Sequence, residues 1–142
     1  MSDPYNLQRF VDAQEGIYAT ALAELKAGNK QSHWMWFIFP QLAGLGRSPT
    51  AHYFGISSLE EARAYLGQSP LGSRLKKCVR AILGWSGRCS AEQIFGPVDT
   101  MKLRSSLTLF NAVDPGHLFE RALTDFFGGP DEPTLALLED ER

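Results

Sequence analysis

Twelve consecutive residues concentrate the reactive and recognition chemistry of this chain: Lys30-Gln31-Ser32-His33-Trp34-Met35-Trp36-Phe37-Ile38-Phe39-Pro40-Gln41. A plain core strand or helix does not need His and Trp packed beside Lys, Ser and Gln. A ligand pocket does, being apolar in body and polar at a few points. Lys30 can neutralise an anion, His33 and Gln41 can orient polar groups, and Trp34 or Trp36 can stack on a base, nicotinamide or sugar ring. The competing reading makes both indoles core anchors and His33 a hydrogen-bonded core histidine. In a helix only one of Trp34 and Trp36 faces the core, because i and i+2 lie on different faces; in an extended segment both face the same way. A histidine suits acid–base work in general, but no neighbouring carboxylate marks His33 as a general base.

Two further clusters have matching chemistry. Gly44-Leu45-Gly46-Arg47-Ser48 lets the backbone approach a ligand closely, and Arg47 with Ser48 suits a phosphate. It lacks the lysine and length of a P-loop, and a tight turn explains it equally well. In Asp99-Thr100-Met101-Lys102-Leu103-Arg104-Ser105-Ser106, Asp99 as a helix cap puts Lys102 and Ser106 on one side, one turn apart, with Ser105 nearby. A lysine and hydroxyls near a helix N-terminus form an anion site; the plainer alternative is a solvated helix start. A Lys102–Ser106 nucleophile pair lacks a GxSxG elbow and an oxyanion donor. The candidate ligand-binding set is therefore Lys30, His33, Trp34, Trp36, Gln41, Arg47, Ser48, Lys102, Ser105 and Ser106, provided that the two segments wall one hollow. His52 and His117 are distant and lack ligand spacing. Cys78 and Cys89 form no CxxC pattern, so no metal site and no cofactor are expected, and the thiols are expected to be reduced and structural.

The elements that must position these residues are helical. Phe10, Ala13, Ile17, Ala21 and Leu25 predict one helix over residues 6–27, with Gly28-Asn29 as its stop. The aromatic run fits a buried strand or a buried helix, ended by Pro40, and residues 41–50 read as a loop. Ser58 and Glu61 have capping-box spacing for a helix to about residue 66. Pro70 suits the first turn of a helix burying Leu71, Leu75, Cys78, Val79, Ile82 and Leu83. Ser90 with Gln93 opens a short helix. Asp99 is the expected N-cap of a helix to residue 111, striped by Leu103, Leu107 and Phe110. Asp114-Pro115 predicts a start for a helix to residue 127, and Thr134 a last helix to residue 138. The expected fold is all-α: a single-domain compact bundle of about seven short helices over residues 1–142.

Length and composition agree with that. At 142 residues, 44% hydrophobic and 21% charged, one soluble globular domain is expected. A net charge of −2 gives no bulk attraction to nucleic acid or to an acidic membrane. The charge is uneven: residues 63–104 hold eight bases and two acids, and residues 112–142 eight acids and two bases. That pattern suits two solvated faces, or a basic pocket for an anion. The longest apolar run is too short to span a bilayer, and the polar, acidic N-terminus does not read as a signal peptide, so a cytoplasmic location is expected.

These strings also carry a resemblance. The twelve-residue segment, Gly44-Leu45-Gly46-Arg47-Ser48, Tyr53-Phe54-Gly55-Ile56, Ala62-Arg63-Ala64-Tyr65-Leu66, Ile94-Phe95-Gly96 and residues 99–110 resemble a bacterial family, the domain of unknown function numbered eighteen-ten. In genomes it is often labelled calpastatin. The resemblance covers nearly the whole chain and implies a single, mainly helical domain with no established activity and no catalytic residue to carry over. The label does not fit: a disordered inhibitor is polar and unfolded, whereas this chain is 11% aromatic with strong apolar periodicity.

Three functions compete. The first is a domain binding an anionic or nucleotide-like small molecule. The second is an enzyme acting on nucleotide or ADP-ribose-like compounds, an N-glycosidase or hydrolase, with Asp99 as its carboxylate. The third is a structural or interaction module without a ligand. Sequence sets neither the ligand's identity nor the oligomeric state.

Overall fold

Ten helices form among residues 3–140, the residues that the computed structural model describes. They are α1 (Gln8–Gln14), α2 (Tyr18–Lys26), α3 (Met35–Ile38), α4 (Pro49–Tyr53), α5 (Leu59–Gly67), α6 (Leu71–Leu83), α7 (Ala91–Phe95), α8 (Pro97–Val113), α9 (Leu118–Phe127) and α10 (Glu132–Asp140). Seven of them have seven residues or more, and a 3-10 turn spans Ala43–Leu45. No strand occurs among the described residues; one isolated parallel bridge pairs Leu42 with Ile56.

Helix α8 is the axis of the bundle and packs against α5, α7, α9 and α10, while α6 packs against α2, α5 and α9. Aromatic rings run through the centre. Tyr65 meets Phe10 edge-on at 5.1 Å between centroids and Phe110 at 5.4 Å, and Phe110 meets Phe119 at 5.8 Å. The predicted stripe of α6 is buried as expected, from Leu71 to Leu83. Leu103, Leu107, Leu109 and Phe110 of α8 are buried likewise.

Side-chain caps open α4, α5 and α7. Ser58 Oγ accepts from Glu61 N, and Ser90 with Gln93 forms a reciprocal capping box. Other boundaries differ from expectation. The single helix over 6–27 breaks into α1 and α2 at Gly16, whose φ of +75° is left-handed. The loop over 41–50 contains the 3-10 turn and the start of α4, where Ser48 Oγ accepts from Ala51 N and Pro49 takes the first turn. Helix α8 begins three residues earlier than expected, at Pro97, with Gly96 at φ +82° as its N-cap. Asp99 is therefore inside the first turn rather than the cap. Asp114 closes α8 instead of opening α9, which starts at Leu118.

One buried cation welds the N-terminal helices to the loop before α5. Arg9 is 9% exposed and uses all five N–H donors. They go to the carbonyls of Tyr5, Asn6, Tyr53 and Gly55 and to Glu61 Oε2 at 2.9 Å. Glu61 Oε1 accepts from the backbone and hydroxyl of Ser57. This pair is fully hydrogen-bonded, the condition under which a buried ion pair is tolerated.

Candidate functional site

The aromatic segment is shaped by a carboxylate that precedes it. Glu24, near the end of α2, accepts four hydrogen bonds: Gln31 N at 2.8 Å, Ser32 N at 2.9 Å, Ser32 Oγ at 2.6 Å and Trp34 Nε1 at 3.0 Å. Partial burial pushes the Glu24 carboxyl up, but the bonds from Ser32, Gln31 and Trp34 outweigh it and hold the pKa at about 2. Lys30 N donates to Ile94 O at 2.8 Å, tying the same turn to α7 and so to the start of α8.

That tie brings the two candidate segments together. Lys30 Nζ lies 2.8 Å from Asp99 Oδ2, and Lys102 Nζ lies 3.5 Å from Asp99 Oδ1. Each ammonium also covers an indole of the aromatic segment: Lys30 over Trp34 at 4.8 Å and Lys102 over Trp36 at 4.2 Å from the ring centroids. Asp99 sits in the first turn of α8, where the helix dipole favours its charge.

The two lysines are not equivalent. The Lys30 side chain is 6% exposed and also donates to Ser32 O at 2.6 Å. It is a fixed internal pin. The Lys102 side chain is 24% exposed and its distance to Asp99 is long for a charge-assisted bond. It is the available cation of the cluster. Asp99 is 20% exposed at the side chain, and Trp36 is half-buried.

The remaining candidates separate. Trp34 is fully buried against Phe39 and Phe95, with its N–H on Glu24, so it has no face for a stacking ligand. His33 is exposed rather than a core histidine. Gln41 lines, with Trp36 and Gly46, a crevice of about 10 Å³, room for one water at most. Its backbone carbonyl accepts from Ile56 N. The loop glycines serve packing rather than ligand approach: a Cβ on Gly46 would collide with Ala51, and one on Gly44 would press on Leu137. Ser48 caps α4, and Arg47 is exposed. Ser105 and Ser106 are buried, away from solvent. Ser105 Oγ donates to Asp131 Oδ2 at 3.3 Å, while Ser106 Oγ has no hydrogen-bond partner. Neither hydroxyl is presented to a ligand in solution, and the Lys102–Ser106 nucleophile pair has no accessible nucleophile.

The sequence marks Asp99 as a cap and as a candidate carboxylate, of which only the cap is overturned, and it carries no sign of Glu24. The signal for Asp99 was the glycine–proline pair in front of it, which starts the helix earlier. For Glu24 no local pattern existed, because its partners lie seven to ten residues downstream in an irregular turn. No cluster of three or more His, Cys, Asp and Glu suited to a metal occurs among the described residues. No helix among them is long and apolar enough to cross a membrane.

No curated protein matches the chain. A crystal structure of a conserved hypothetical protein, Rv1873 from Mycobacterium tuberculosis, is 51% identical, covers 96% of this chain and 99% of its own, and superimposes with a TM-score of 0.93. Residues 4–138 match the family described as "Protein of unknown function (DUF1810)", and the chain belongs to that family.

Proposed function

We propose that this protein binds an anionic or nucleotide-like small molecule at the surface formed by Trp36, Asp99 and Lys102. The observation that carries the reading is the convergence of Lys30 and Lys102 on Asp99, each stacked on a tryptophan of the aromatic segment. Lys30 and Lys102 share the Asp99 carboxylate, and Lys102, the more exposed of the two, is the cation open to a ligand. His33 is at the edge of the same segment in sequence, and Gln41 lines a crevice with Trp36. Lys30 and Trp34 act from beneath as supports.

A thermal-shift screen against nucleotides, NAD derivatives and sugar phosphates tests the reading. A ligand at 100 times its dissociation constant stabilises by about 2.7 kcal/mol. For a chain of this size that raises Tm by roughly 2–4 °C per kcal/mol. Lys102→Ala is expected to abolish the shift while leaving the unliganded Tm nearly unchanged. No shift from any of these anions, or an equal shift in Lys102→Ala, overturns the proposal.

A second reading makes the site catalytic, acting on nucleotide or ADP-ribose-like compounds. It is favoured by Asp99, a partly exposed carboxylate held between two cations. It requires turnover of a bound compound that disappears in Asp99→Asn. Binding without turnover leaves the first reading alone.

A further inference from the structure

We infer that the ligand of this site is read through a vicinal cis-diol, as in a ribonucleotide or a sugar phosphate, and not through its anion alone. The inference rests on the ligand-binding reading above and names the ligand class. A carboxylate offers about four lone-pair sites. Lys30 takes one on Oδ2 and Lys102 approaches one on Oδ1, so about two remain on a side chain that is 20% exposed. Lys102 has three donors. At 3.5 Å from Asp99 it is loosely held, and it has donors to spare for solvent or ligand.

An accessible acceptor and an accessible donor therefore stand side by side, 3.5 Å apart. One hydroxyl of a diol can donate to Asp99 while its neighbour accepts from Lys102, and the arrangement needs both hydroxyls. A bare phosphate fits less well, because it must approach Asp99, a like charge, to reach Lys102. The half-buried Trp36 ring beside Lys102 gives an apolar face for the C–H side of a sugar or for a base. A phosphate carried elsewhere on the same molecule can be reached by the remaining donors of Lys102 without displacing Asp99.

Four probes separate the possibilities by calorimetry on the full chain: adenosine 5′-monophosphate, its 2′-deoxy analogue, ribose 5-phosphate and inorganic phosphate. The ribonucleotide is expected to bind at least about tenfold more tightly than the deoxynucleotide, because the analogue leaves a donor or acceptor of the site unpaired. Ribose 5-phosphate is expected to bind more tightly than inorganic phosphate. Lys102→Met, which leaves the Lys30–Asp99 pair intact, is expected to remove most of the preference for the ribonucleotide. Asp99→Asn should do the same where it folds; the wild-type comparison decides the matter without it. Equal affinity for the ribo- and deoxynucleotide overturns the diol and leaves the anion site standing. No heat from any of the four probes overturns both.

Discussion

Trp34 Nε1 donates to Glu24 Oε1 at 3.0 Å, so a side chain near the end of one helix holds the indole at the start of the next. Three more donors, from Gln31 and Ser32, meet the same carboxylate. Hydrogen bonds to a charged group contribute about 1.5–3 kcal/mol each at most, and less where solvent competes. Glu24→Ala is therefore expected to destabilise the fold by about 1–3 kcal/mol and to shift near-UV circular dichroism through Trp34. Chemical denaturation that gives a loss under about 0.5 kcal/mol contradicts this.

The same carboxylate sets a pH dependence. Glu24 has its folded pKa lowered from an ordinary 4.5 to about 2. A depressed carboxyl contributes stability that is complete above the unfolded value and lost as pH falls through the folded one. The Tm of the wild type should fall between about pH 5 and pH 2 by more than that of Glu24→Gln. Parallel curves for the two proteins would exclude Glu24 as a source.

Arg9 and Glu61 give a second stability test. Removing one member leaves a buried charge without its partner, at a cost of about 3–5 kcal/mol. Arg9→Met is expected at the upper end, because four backbone carbonyls also lose their donor. The double variant Arg9→Met with Glu61→Leu should cost less than the sum of the single changes, as a double-mutant cycle by urea unfolding will report.

Lys30 and Lys102 should part company in the same assay. Lys30→Ala removes a buried pin with three partners and is expected to cost about 1–3 kcal/mol. Lys102→Ala removes a long, partly exposed pair and is expected to cost under about 1 kcal/mol. The reverse order would exchange their assigned roles.

Cys78 is buried, and burial pushes its thiol up to about 12. A thiol that far above neutral pH is protonated and nearly unreactive. Under native conditions at pH 8, alkylation should modify the half-buried Cys89 first, and Cys78 only on unfolding. Equal native rates, read by mass spectrometry of the peptides, would contradict the burial.

Short-range chemistry was legible in the sequence. Ser58 and Ser90 cap the helices that their spacing to Glu61 and Gln93 predicts, and the α6 stripe is buried along its length. The break at Gly16 was not legible, because the apolar spacing runs through it from Ala13 to Ile17. The structure spends Ile17 on the surface, 37% exposed. Of the candidate site, the sequence names Lys30 and Lys102 but holds no signal that the two meet on one carboxylate. Asp99, which joins them, reads in sequence as a cap as well as a candidate carboxylate, because an aspartate three residues into a helix looks locally like a cap. The loss of Trp34, Ser105 and Ser106 from the exposed surface follows from long-range packing, which spacing alone does not encode.

Leu137 of α10 rests against Gly44 of the 3-10 turn, and Asp131, which accepts from the Thr134 backbone and hydroxyl, ties the start of that helix to α8 through Ser105 and Thr108. The final helix is thus a buttress for the glycine turn bordering Trp36. A substitution at Leu137 is therefore expected to be felt at that turn, far along the chain from the position changed.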